Sequence, residues 1–129
     1  MDHRESADVL KGFIDEYTAE WNTADLAAIV EAYATPCFVV KGGRVFRHRD
    51  QAANRRYFSE LLASNQQEGQ HTWSVGNLQM YPPGGDAVLI TVRWLARRTD
   101  RSIVWDFLDS YLVAIDDGRW RILGDVVHS

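Results

Sequence analysis

The chain has 129 residues, 46% of them hydrophobic and 12% aromatic, with a net charge of −4 and a pI near 5.5. That length suits one globular domain over residues 1–129, able to bury about two thirds of the surface exposed when unfolded. The acidic balance argues against nucleic acid or an anionic membrane as the main partner, since both reward a basic surface. No apolar run approaches the length of a membrane span and the polar start Met1-Asp2-His3-Arg4-Glu5 is unlike a signal peptide, so a cytoplasmic location is expected. The single cysteine, Cys37, allows no internal disulfide and fits a reducing compartment. It reads as a small buried hydrophobe, because no local residue supplies the base that a catalytic thiol wants.

From Ala7 to Trp21, Leu10, Phe13, Ile14, Tyr17 and Trp21 recur at helical spacing behind Ser6, a suitable N-cap. Asn22-Thr23 breaks that helix, and Leu26, Ile29, Val30 and Tyr33 predict a second, which should end before Pro36. Cys37–Lys41 and Arg44–Arg47 flank Gly42-Gly43 as a short hairpin. Asp50 then caps a third helix with Tyr57, Phe58, Leu61 and Leu62 as its apolar stripe, before a polar loop from Ser64 to Gln70. Trp73–Tyr81 alternates weakly and ends at Pro82-Pro83-Gly84-Gly85. Ala87–Arg98 is a long strand with Val88, Ile90, Val92, Trp94 and Ala96 on one face.

The closing stretch, Ile103 to His128, reads as a hairpin turning on Asp117-Gly118, a pair suited to positive backbone angles. With Asp116 facing Arg119, the register opposes Ile115 to Trp120, Val113 to Ile122, Tyr111 to Gly124, Asp109 to Val126 and Phe107 to His128. A period of two then puts Phe107, Asp109, Tyr111, Val113, Ile115, Trp120, Ile122, Gly124, Val126 and His128 on an inner, mostly apolar face. Asp106, Leu108, Ser110, Leu112, Arg121, Leu123, Asp125 and Val127 fall outside. Pairing with the preceding strand sets Trp94 against Phe107 and Val92 against Asp109, so the two inner faces agree. Helices gathered on one face of an antiparallel sheet predict an α+β fold.

The order of elements resembles the NTF2-like superfamily, in its SnoaL-like and ketosteroid-isomerase-like branch, over nearly the whole chain. The residues that carry the resemblance are Tyr17 and Trp21, the run Asp25 to Ala34, Asp109-Ser110-Tyr111, and Asp117-Gly118-Arg119-Trp120-Arg121-Ile122 with His128-Ser129. It implies a cone-shaped α+β barrel, three N-terminal helices packed on a curved antiparallel sheet, commonly a homodimer, with a pocket for small hydrophobic molecules. It also implies a choice among isomerases, cyclases, hydrolases and members that only bind, which fold alone does not make. Tyr17 and Tyr33 match two pocket tyrosines of the ketosteroid isomerases. Where their base is expected this chain has Lys41, and where their neutral aspartate is expected it has Tyr111 or Ser110, which speaks against steroid isomerisation by that mechanism.

Three groups interrupt the apolar inner face, Asp109, Tyr111 and His128. A carboxyl in apolar surroundings has its pKa raised toward the working range of a general base, which makes Asp109 the leading catalytic candidate. His128, one diagonal step away at roughly 7–8 Å, would orient it or shuttle the proton, with Tyr17 and Tyr111 holding a substrate oxygen. The competing reading is a satisfied aspartate–tyrosine network and a frayed terminal histidine. Trp21, Tyr33, Trp94, Phe107 and Trp120 are expected as core and, secondarily, as ligand wall. Asp106 and Asp125 are expected in outer-face ion pairs with Arg93 and Arg121. His3, His48, His71 and His128 are scattered and no phosphate-binding glycine loop is present, so neither metal nor nucleotide cofactor is expected. Two functions stay open: a cofactor-independent isomerase, cyclase or hydrolase using acid–base chemistry on a small hydrophobic substrate, or a non-catalytic ligand-binding or dimerisation module. An outer stripe of Leu89, Leu108, Leu112, Leu123 and Val127 predicts a homodimer through the sheet.

Overall fold

The computed structural model describes residues 3–82 and 85–128; Met1, Asp2, the Pro83-Gly84 part of the predicted turn, and Ser129 lie outside the described residues. The elements are α1 (His3–Asn22), α2 (Leu26–Glu31), β1 (Tyr33–Lys41), β2 (Arg44–His48), α3 (Gln51–Gln66), β3 (His71–Tyr81), β4 (Ala87–Arg98), β5 (Ile103–Asp116) and β6 (Arg119–Val127). All six strands form one sheet in the order β2-β1-β6-β5-β4-β3. It is an open curved sheet, and one detail of the expected architecture changes: the sheet is mixed, because β6 returns beside β1 in parallel. The third helix follows the first hairpin, as the order of predicted elements has it.

The apolar stripe of α1 buries Leu10, Ile14 and Tyr17 against the sheet, as helical spacing requires. Its ends differ from the expectation. The helix starts before Ser6, so that residue is not an N-cap; it is buried, and its hydroxyl donates to the Gly85 carbonyl (2.6 Å) and accepts from the Gly85 N–H (3.2 Å). At the other end the Asn22 amide donates to the Trp73 carbonyl and accepts from its N–H (3.0 and 2.7 Å). Both ends of α1 are thereby tied to the β3–β4 layer, which fixes how Tyr17 and Trp21 hang over the sheet.

Asp25 caps α2 by accepting from the Ala28 N–H, and the helix stops at Glu31, so Tyr33 opens a strand where a helical turn was expected. Pro36 sits inside that strand, between Tyr33 and Phe38, where the β1–β6 register shifts and its missing N–H breaks no ladder bond. Asp50 caps α3 as expected, accepting from Ala53, but the helix runs on through Ser64 to Gln66.

In the closing hairpin Asp117 and Gly118 have φ of 54° and 77°, as the two-residue turn demands. The expected pairs Asp116↔Arg119, Ile115↔Trp120 and Val113↔Ile122 all form, as do Trp94↔Phe107 and Val92↔Asp109. Beyond Val113 the register slips. Leu112 opposes Gly124, Tyr111 opposes Asp125 and Asp109 opposes Val127, leaving Leu123 as the extra residue of a β-bulge. Because strand side chains alternate, one inserted residue exchanges the faces of everything after it. Asp125 and Val127 therefore turn inward, while Gly124, Val126 and His128 turn outward, the reverse of the sequence expectation. Gly124 lies beside Phe38 of β1, and any side chain there would run into the Phe38 ring. A glycine beneath an aromatic ring is thus what lets β1 and the bulged strand lie together.

Candidate active site between the helices and the sheet

Between α1, α3 and the inner face of the sheet lies a cavity of about 420 Å³, within the size range of small-molecule sites. Its walls are chiefly aromatic. Trp73 and Trp105 stack at 5.4 Å between ring centres, Phe107 and Trp94 meet Trp73 edge-on, and Trp21 contributes from α1. Asp109 and Asp125 line it with Tyr17, Tyr111 and Lys41.

Both aspartates are buried, at 4% and 6% exposure. Two hydrogen-bond relays converge on them. In one, the Trp94 indole N–H donates to the Tyr111 hydroxyl (2.8 Å), which donates to Asp109 Oδ2 (3.0 Å). In the other, the Tyr33 hydroxyl donates to Asp125 Oδ2 (2.9 Å); its proton being committed there, the Tyr17 hydroxyl is the donor across the 2.6 Å Tyr17–Tyr33 contact. The second oxygen of each carboxyl, Asp109 Oδ1 and Asp125 Oδ1, is buried and receives no hydrogen bond from any other group among the described residues, which leaves the two carboxyls to each other.

Two buried carboxyls that feel each other cannot both ionise readily, and the pair retains a proton. Burial, followed by the charge of Asp125 and a hydrogen bond with it, raises the Asp109 pKa well above the ordinary carboxylate value. Asp125 is also raised by burial, while the hydrogen bonds from Asp109 and Tyr33 oppose that. One proton held between the two carboxyls satisfies groups that would otherwise be costly to leave unpaired. Lys41 lowers both members and keeps part of the negative charge tolerable. The phenols of Tyr17, Tyr33 and Tyr111 are pushed upward, first by burial, and stay neutral donors.

The predicted site residues divide accordingly. Asp109, Tyr111, Tyr17, Trp21, Trp94 and Phe107 come together at the cavity, as the inner-face assignment implies. Tyr33 stands behind the wall and supports Asp125, and Trp120 packs against the core away from the cavity. His128 is corrected: the bulge turns it to the outer face, where it is exposed and its Nε2 meets the Ser110 hydroxyl at 2.7 Å, itself 2.8 Å from the Thr91 hydroxyl. It cannot orient Asp109. Asp125 is corrected in the opposite sense, from surface ion pair to partner of Asp109. Of the expected outer-face pairs, Arg93 and Asp106 form a two-pronged one (2.9 and 2.7 Å), while Arg121 reaches Asp116.

Cys37 has a histidine beside it that the local sequence does not show. Its partner across the β1–β2 ladder is His48, with Nδ1 3.9 Å from Sγ, and Asn54 completes a buried cluster. Asn54 Oδ1 lies 2.9 Å from His48 Nδ1, which therefore carries the proton and donates, and Oδ1 accepts from the thiol as well (3.1 Å). Burial pushes the thiol up to about 11. The cluster does not line the cavity, and it reads as a satisfied structural network. Among the described residues, no group of three or more His, Cys, Asp or Glu is placed to hold a metal ion, and no helix is long and apolar enough to cross a membrane.

Fold and cavity together define an NTF2-like protein. The chain belongs to this family, in the group described as NTF2-like protein (DUF6841), whose model matches residues 5–129. Comparison with curated proteins gives no match. Among solved structures the chain is similar to an NTF2-like protein of unknown function from Pseudomonas putida, at 13% identity and a TM-score of 0.80, covering 100% of this chain and 89% of that one. It is also similar to an NTF2-like protein with a cystatin-like fold from Novosphingobium aromaticivorans (12%, 0.74, covering 95% and 80%). A ketosteroid isomerase candidate from Shewanella frigidimarina is similar too (16%, 0.67, covering 89% and 90%). At such identities the likeness establishes the fold and leaves the chemistry to the site.

The retained proton has a measurable consequence. An unfolded aspartate releases its proton near its ordinary pKa, about 4, whereas the folded pair still holds one. Folded protein then binds more protons than unfolded, so stability falls as pH rises from that value up through the raised folded pKa, with a limiting slope of about 1.4 kcal/mol per pH unit. Glu20, raised to about 7 by burial, Glu16 and Asp25, contributes in the same sense, so a variant comparison is needed. Asp109→Asn supplies an amide in place of the retained proton. Urea melts from pH 5 to 8 should show it gaining on the wild type as pH rises; parallel curves would show that no proton is held there.

Proposed function

We propose that the chain is a cofactor-independent acid–base enzyme of the isomerase, cyclase or hydrolase kind, acting on a small hydrophobic substrate at the Asp109–Asp125 pair. The observation that carries this reading is two adjacent buried carboxyls in an aromatic cavity, each with one oxygen that no donor among the described residues satisfies apart from the shared proton. Asp109 holds the proton and serves as acid, while Asp125 is the carboxylate and serves as base. On an unsaturated carbonyl compound, Asp125 would take a proton from carbon as Asp109 delivers its own to the carbonyl oxygen, giving an enol. The pair then still holds one proton, now on Asp125, and can return it to another carbon as Asp109 recovers the enol proton. The phenols of Tyr33 and Tyr111 hold the carboxyls in place instead of holding substrate, since their protons already point to Asp125 and Asp109.

Exposure of the wild type to a panel of cyclic enones and epoxides in D2O, followed by NMR, tests this. Asp109→Asn and Asp125→Asn should each lower turnover by about 10²–10⁴-fold, and His128→Ala should leave it unchanged. Full activity in either aspartate variant would overturn the mechanism.

We further propose a homodimer through the outer face of the sheet. Leu89, Leu108 and Leu112 are 44%, 45% and 38% exposed there, with Phe38 beside them and the Arg93–Asp106 pair at the edge. Val127 leaves the expected stripe because the bulge turns it inward. Sedimentation at micromolar concentration should give a dimer that Leu112→Lys converts to monomer; a monomeric wild type would contradict this.

A further inference from the structure

Lys41 is the one cavity-lining residue among those described that carries a fixed positive charge, and its ammonium has no hydrogen-bond or ion-pair partner among them. It ends β1 on the inner face, two residues beyond Val39, which is paired with Asp125. Val127 of β6 separates the end of β1 from Asp109 on β5. The two backbones are thus two strand spacings apart, roughly 10 Å, a gap that a lysine side chain spans in large part. Its charge acts on both aspartates. The opposite side of the cavity is formed by stacked Trp73 and Trp105 with Phe107, which present flat apolar surface and no charge.

Resting on the acid–base reading above, we propose that Lys41 is an anion-holding residue, and that the cavity takes flat ring compounds bearing one acidic oxygen, carboxylate or enolate, seated on the Lys41 ammonium. Three observations converge on an oxygen of this kind. The tyrosine and tryptophan donors near the aspartates are already committed to one another and to the carboxyls, so they offer a ligand little. The aromatic walls favour a planar body by stacking. An organic cation would meet the Lys41 ammonium, whereas an anionic oxygen meets it favourably in a cavity where water screening is reduced. Glu68, the acid of the wall besides Asp109 and Asp125, is exposed just past the end of α3 and makes no ion pair with Lys41. Lys41 would also stabilise the partial negative charge on a substrate oxygen as Asp125 draws a proton from carbon, ahead of complete proton delivery by Asp109.

The test is calorimetric titration of the full chain with three naphthyl probes of like size and different charge, 2-naphthoate, 2-naphthylmethanol and 2-naphthylmethylammonium. The wild type should bind the carboxylate about ten-fold more tightly than the alcohol, and the ammonium most weakly, with the preference shrinking as salt is added. Lys41→Met, at an exposed strand end that the core does not need, should bring the carboxylate and the alcohol to within about two-fold while leaving alcohol binding as it was. Equal or tighter binding of the alcohol or the ammonium by the wild type overturns the proposal, as does an anion preference that survives in Lys41→Met; either result leaves the acid–base reading standing. Failure of all three probes to bind also overturns the proposal, because the cavity would then not receive flat ring compounds, and leaves the acid–base reading to its own turnover test.

Discussion

The site depends on one irregularity, the bulge at Leu123. With regular pairing to the end of β6, the inner face would carry Asp109 alone, and Asp125 would sit in water next to arginines. The extra residue places Asp125 opposite Tyr111 and one strand from Asp109. A lone buried carboxyl can be neutralised by taking up a proton. Two neighbouring ones must share, and sharing separates their roles into a proton holder and a carboxylate.

Such a pair is expensive to bury, and the surrounding structure is arranged to tolerate it. Each carboxyl receives a phenolic hydrogen bond, each phenol is held by a further donor, and the relays are anchored in four elements: Tyr17 on α1, Tyr33 on β1, Trp94 on β4 and Tyr111 on β5. The clamps at the ends of α1, Ser6 on Gly85 and Asn22 on Trp73, set the helix at the height where Tyr17 reaches Tyr33. Loss of stability toward high pH is then the consequence of keeping two acids in an aromatic cavity. Natural sites accept such local costs where chemistry requires them.

Much of the fold was legible because it follows from short-range rules. Asp117-Gly118 defines a turn, the turn defines the nearest pairs, and alternation in β4 and β5 places Trp94, Asp109 and Tyr111 on one surface. The bulge was not legible from alternation. Leu123, Val126 and Val127 are apolar in either phase, so the pattern of β6 does not reveal a slip of one residue. Gly124 was the available signal, since glycine inside a strand marks a bulge or a close approach, and here it marks both. The same kind of irregularity, between Ala96 and Arg97 in the β4–β5 register, lies beside Trp105, which completes the aromatic wall without having been singled out. The parallel return of β6 beside β1 is a long-range pairing that no local pattern encodes.

The central claim is that Asp109 and Asp125 titrate as one unit. Carbon-13 NMR of the aspartate carboxyls across pH 3 to 10 observes this directly. The account predicts that both signals report two common steps, the later one well above the ordinary range for aspartate, and that Asp109→Asn abolishes that later step. Independent titration of Asp125 at an ordinary value, indifferent to Asp109, would contradict it.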